Sequence, residues 1–103
     1  MRVIWLPQAK QQVRQRAIYI HKMFGSRVRQ RFLDEVREAS NLLGRNPNAG
    51  KMEPLLKDFP GMYRSYVMNY LNKIVYHLCE DTIEVVAFWD TRREPAALTE
   101  DLR

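Results

Sequence analysis

Apolar residues recur along this chain with two different periods. Val13, Ala17, Ile20 and Phe24 fall at steps of four, three and four, which is one stripe of an amphipathic helix. Pro7 suits its first turn, where a missing N–H goes unnoticed. Gly25 closes it, and the Ser26 hydroxyl is placed to cap the next helix. A second stripe runs through Val28, Phe32, Val36, Ala39 and Leu43 until Gly44 and Pro47 stop it. Two long helices with so short a break between them predict an antiparallel hairpin. Its apolar stripes need a sheet to cover them.

The rest of the chain alternates with a period of two. "VIWL" (3–6) reads as an edge strand, and "NPNAGKMEPLLKDFPGM" (46–62) as a loop punctuated by proline and glycine. Three strands follow: "YRSYVMNY" (63–70), "KIVYHLCE" (73–80) and "IEVVAFWD" (83–90), joined by two-residue turns at Leu71-Asn72 and Asp81-Thr82. The tail after Pro95 reads as a short helix or a loose end. The expected fold is α+β, in the order β-α-α-β-β-β. A helix hairpin packs on one face of a mostly antiparallel four-stranded sheet, as one domain over residues 1–103.

Strand parity then sorts side chains between the two faces of the sheet. Ile74, Tyr76 and Leu78, with Ile83, Val85, Ala87 and Trp89, form the more apolar set and are expected under the helices. The opposite face would hold Arg64, Tyr66, Met68, Lys73, His77, Phe88 and Asp90. With two-residue turns, Lys73 would lie between Tyr70 and Asp90, and His77 between Tyr66 and Val86. Such a face is too polar for a core and too apolar for an idle surface, so a partner is expected to cover it.

Charge sharpens this picture. The chain carries 17 Lys and Arg against 12 Asp and Glu, a net charge of +5. Arginine dominates the basic set, and its planar fork matches phosphate or carboxylate oxygens in pairs. The last strand ends in "DTRREP", where a turn alone would need no arginines. Arg64, Lys73, Arg92 and Arg93 therefore form a candidate basic cluster, with Asp90 positioned to hold Lys73 or Arg92. An ordinary surface ion-pair network is the competing reading and is favoured for Asp90 alone. His77 has the right ordinary pKa for a general base, but a lone strand histidine is more often a hydrogen-bonded surface residue. Cys79 is the only cysteine, so no internal disulfide forms and a reducing cytoplasm fits best. No stretch approaches a membrane span, no signal peptide opens the chain, and no residue spacing implies a metal or cofactor site.

These features together resemble the RelE/ParE superfamily of toxins from bacterial type II toxin–antitoxin (plasmid stabilisation) systems. The likeness runs from "VIWLPQAKQQV" through "LLGRNPNAG" and "MYRSYVMNYLNKIVYHL" to "FWDTRREP". It rests on the element order, Pro-x-x-Gly after the second helix, Tyr-Arg opening the next strand, and a closing Arg-Arg-x-Pro. The resemblance implies a growth-arresting protein bound by a cognate antitoxin, for which Tyr66, Met68 and Phe88 are the expected contacts.

Two activities occur in that superfamily. RelE-like members enter the ribosome and cut mRNA without metal, the 2′-hydroxyl attacking the adjacent phosphate. Arg64, Lys73 and Arg93 match three positions of that basic face, with Arg92 beside them. Tyr66, however, stands where a further lysine is expected, Asp90 stands where other branches carry a histidine, and no tyrosine follows the arginine pair. ParE-like members inhibit DNA gyrase, perform no catalysis, and favour a long helix hairpin such as residues 8–44. The resemblance leans to the ParE-like branch, with the ribosome-dependent endoribonuclease as the alternative.

Overall fold

The computed structural model describes residues 1–69 and 71–92. Strand β1 (Arg2–Trp5) leads into α1 (Pro7–Phe24) and α2 (Ser26–Arg45), followed by a short β2 (Lys51–Met52) and a 3₁₀ turn over Pro54–Leu56. Strands β3 (Tyr63–Val67), β4 (Asn72–Cys79) and β5 (Thr82–Asp90) complete a five-stranded sheet in the order β1-β5-β4-β3-β2. The expected α+β architecture is present, a helix hairpin on a sheet in the order β-α-α-β-β-β. Two details differ. Lys51 and Met52 add a fifth strand at one edge, and β1 runs parallel to β5 at the other, so the sheet is mixed.

A single residue turns one helix into the other. Gly25 has φ 93°, a left-handed conformation that costs glycine little, and its N–H donates to the His21 carbonyl. Gly25, not the Ser26 hydroxyl, precedes α2 as its cap. The predicted stripes face inward except at Phe24, which ends α1 62% exposed. Ala17 from α1, joined by Ala9, and Phe32, Ala39 and Leu43 from α2 are buried on the sheet, with Val13 and Ile20 packed against them. Phe88 lies at the centre, its ring 5.8 Å from Phe32 in an edge-on contact and 6.4 Å from Trp5.

The register departs from the expected one at two points, and both change which side chains share a face. Strand β3 ends at Val67 rather than residue 70, and Val67 pairs with Lys73 and Tyr63 with His77. This three-residue displacement is an odd number, so it inverts the parity of β3 against β4. Arg64 now opposes Tyr76 and Tyr66 opposes Ile74, both under the helices. The β4–β5 turn falls on Glu80 and Asp81, with Glu80 at φ 58°, one residue earlier than expected. A bulge follows: Val75 pairs with Ala87 but Tyr76 with Val85, which leaves Val86 unopposed. Beyond it, Phe88 and Asp90 turn toward the helices, and Ala87 and Trp89 turn away.

A second core therefore lies on the face expected to be bare. Val75, Val86, Ala87 and Trp89 pack there with Leu56, all nearly solvent-free, and Phe59, Leu6 and Tyr63 close around them. Residues 54–60 lie over the sheet for an apolar reason: Trp89 is 2% exposed and needs cover. The loop is fastened at its start by Tyr76. The Tyr76 hydroxyl donates to the Pro47 carbonyl at 2.7 Å and accepts from the Gly50 N–H at 2.9 Å. Arg64 Nη1 donates to the Gly50 carbonyl at 2.8 Å. A Cβ on Gly50 would meet the Ser65 carbonyl oxygen at 2.7 Å, so only glycine fits.

This latch predicts a cost for its removal. Tyr76→Phe leaves the buried Gly50 N–H without an acceptor and should destabilise the protein by about 1–3 kcal/mol. Gly50→Ala should be at least as damaging. Urea unfolding midpoints measure both, and a Tyr76→Phe protein as stable as wild type would remove the latch from the account.

Candidate functional site

The candidate residues do not converge on one surface. Lys73 lies on the second face, where its ammonium pairs with the Glu53 carboxylate. Glu53 is 3% exposed and caps the 3₁₀ turn by accepting the Leu55 N–H at 3.4 Å. Burying a carboxylate without a cation is costly, so Lys73 is committed to the loop that carries Glu53. The sequence reading missed Glu53. Its one signal is an acid just before Pro54, at the cap position of a proline-initiated turn.

His77 lies further along the same face. Its Nε2 is 2.9 Å from Glu84 Oε1 across the strand pair, and its ring stacks on Tyr63 with centroids 4.8 Å apart. This is the hydrogen-bonded strand histidine, with no phosphate-binding cation beside it in the register. Arg64 points the other way, under the helices, where the Gly50 carbonyl engages it. Its expected place beside Lys73 is corrected by the inverted parity of β3. Two of the three expected antitoxin contacts, Met68 and Phe88, do not lie on an open face, for the same reasons. Met68 is 9% and Phe88 4% exposed, both in the helix-side core, and Tyr66 packs against that core half-buried.

The end of β5 answers why the strand finishes in charge. Asp90 Oδ1 accepts the Arg92 backbone N–H at 2.9 Å and its Nε at 3.0 Å, and Oδ2 accepts Nη2 at 2.9 Å. Arg16 of α1 approaches the same carboxylate at 3.9 Å. The Arg92 hydrogen bonds are the main reason the Asp90 carboxyl falls from its ordinary 3.8 to about 2, although partial burial opposes them. Asp90 in turn raises the Arg92 guanidinium. Asp90 thus holds Arg92, as one of the two expected pairings had it, and does so at the helix side of the sheet. Arg93 and the tail beyond lie outside the described residues. Among the described residues, no group of three His, Cys, Asp or Glu could hold a metal ion, and no helix is long and apolar enough to cross a membrane.

Residues 3–95 match the family model described as the ParE toxin of type II toxin–antitoxin system, parDE. The chain belongs to the ParE toxin family. It is accordingly a toxin of a type II toxin–antitoxin system. Similar folds include a chromosomal ParDE toxin–antitoxin system from P. aeruginosa, at TM-score 0.72 and 14% identity over 87% of this chain and 95% of that one. The YoeB dimer from Staphylococcus aureus is similar at TM-score 0.55 and 20% identity, over 84% of this chain and 92% of that one. No curated protein is significantly similar in sequence. In this chain Pro47, Gly50 and Arg64, all within stretches that carried the resemblance, are parts of the Tyr76 latch, whereas Tyr63 packs on the opposite face against His77.

The Asp90–Arg92 fork makes a pH-dependent prediction. A carboxyl lowered on folding stabilises the protein above its unfolded pKa and loses that contribution as the pH falls through about 2. Asp90→Asn should therefore be less stable than wild type at pH 7, with the gap closing below about pH 4. Urea midpoints across that range measure it. A gap that stays constant with pH would show that the fork acts through shape alone.

Proposed function

We propose that this toxin inhibits DNA gyrase by binding, and cuts no bond itself. The observation that carries the reading is the separate engagement of each candidate group among the described residues. Arg64 serves the Gly50 carbonyl, Lys73 serves Glu53, His77 serves Glu84 and Arg92 serves Asp90. Metal-independent RNA cleavage needs a base, an acid and a cation around one phosphate. Here Arg64 and Lys73 occupy opposite faces of the sheet, and each would have to abandon a buried partner to meet. A binding poison has no such requirement, and α1 and α2, of 18 and 20 residues, offer a long presenting surface.

The antitoxin then needs a surface other than the buried Met68 and Phe88. A groove between α1 and α2 that runs on to β1 supports one. Val13, Ala17, Leu33 and Val36 form its floor, and Arg2, Lys10, Arg14 and Arg29 its rim, with no acid among the described residues that line it. An acidic amphipathic segment of the antitoxin is complementary to that pattern. The cytoplasm, where gyrase works and thiols stay reduced, is the fitting compartment for a chain whose one cysteine, Cys79, is exposed.

Purified toxin should block supercoiling by gyrase and accumulate cleaved DNA, and prior addition of antitoxin should restore supercoiling. Arg92→Ala should weaken inhibition while leaving the fold intact, because the side chain is 60% exposed. Full supercoiling activity at a molar excess of folded toxin would overturn the reading.

A further inference from the structure

Beside the Asp90–Arg92 fork, a cavity of about 400 Å³ opens between α1 and the ends of β4 and β5. Half of its lining is primary amides, set beside Arg16, Tyr19, Phe88 and the Arg92-bound carboxylate of Asp90. Gln11, Gln12 and Gln15 project from one side of α1 and Asn72 from β4, around a floor that includes Phe88. Gln12 is fixed, because its Oε1 accepts the Phe88 N–H at 2.7 Å and its NH₂ remains to donate elsewhere. Asn72 is held by Asn69 at 3.2 Å. Gln11 and Gln15 stand exposed at the lip. A primary amide carries a donor and an acceptor side by side, which is the pattern presented by a nucleobase edge.

An aromatic wall and two guanidiniums complete the set. Tyr19 is 48% exposed, and the Arg16 guanidinium lies 5.4 Å from its ring centroid. A half-bared phenol backed by a cation is a stacking surface for a base, which every base can use. Arg16 Nε is shielded from solvent and has no hydrogen-bond partner among the described residues. Arg92 spends Nε and Nη2 on Asp90, which fixes the guanidinium plane and leaves its Nη1 edge for an anion. The cavity volume falls within the range of about 300–1,000 Å³ usual for small-ligand sites.

We propose that this cavity takes one unpaired nucleotide of a nucleic-acid strand. The base stacks on Tyr19 and meets the Gln11 and Gln15 amides, and the phosphate rests on Arg92. This goes beyond the proposed action on gyrase. It adds a direct nucleic-acid contact, testable with no target enzyme present, so the two can fail independently.

The test is fluorescence anisotropy of labelled single strands of about eight nucleotides, DNA and RNA, against a duplex of the same length. Wild-type toxin should bind the single strand more tightly than the duplex. Tyr19→Ala should weaken binding about tenfold while Tyr19→Phe, which keeps the ring, restores it. Arg92→Ala should lower the salt dependence by about 0.7 in log–log slope. Gln15→Ala should alter preference among bases. Lys57→Ala, an exposed cation on the loop over the other face, is the control and should leave binding nearly unchanged. Tighter binding to duplex, or Tyr19→Ala binding like wild type, or Lys57→Ala weakening binding as much as Arg92→Ala, would overturn the proposal. So would the absence of any single-strand binding by the wild-type protein.

Discussion

One extra residue in β5 decides where the charge at its end can act. Val86 stands unopposed between the Val75–Ala87 and Tyr76–Val85 pairs, and the alternation of the strand reverses there. Without that bulge, Trp89 would enter the helix-side core, and Phe88 and Asp90 would face outward. With it, Phe88 fills the space between Phe32 and Trp5, and Asp90 meets Arg16 of α1. Trp89 passes to the second face, where the chain must supply its own cover. Residues 54–60 do so, and Glu53 and Lys73 anchor the approach to it. The second core and the loss of an open sheet face both follow from one residue.

The same economy runs through the polar residues. The hydroxyl of Tyr76 gathers Pro47 and Gly50, and Arg64 completes the contact from the neighbouring strand. Burial raises the Tyr76 phenol above its ordinary value, as expected of a group held neutral. Its contribution is present below the unfolded pKa and is lost only in alkali. Arg64 and Lys73, which resemble part of a basic active surface in sequence, are, in space, fasteners for the 46–62 loop. What remains directed outward is the helix hairpin with its basic rim, and Arg92 beside an amide-lined cavity.

Much of the fold was legible because it depends on periodicity. The helix stripes, the Gly25 break and the three later strands follow from spacing alone. The register was not legible, because it depends on where β3 stops and on the bulge at Val86, and neither has a strong local signal. A valine inside a valine-rich strand gives no hint that it will be skipped. The two-residue β2 was hidden for a related reason, since Lys51 and Met52 pair with β3 directly after Gly50, which the distant Tyr76 hydroxyl engages. Candidate chemistry inherited these errors. Arg64 was placed on the face of Lys73 and His77 by a parity the structure reverses, whereas the Asp90–Arg92 contact, two residues apart, depends on no register.

The central claim is that no acid–base–cation set converges on one point among the described residues. Its most direct test is a ribosome programmed with a defined message, incubated with folded toxin, with the message ends mapped at nucleotide resolution. The account predicts an intact message, with no new end in the A site. A discrete, toxin-dependent cut there, abolished by Lys73→Ala, would contradict it.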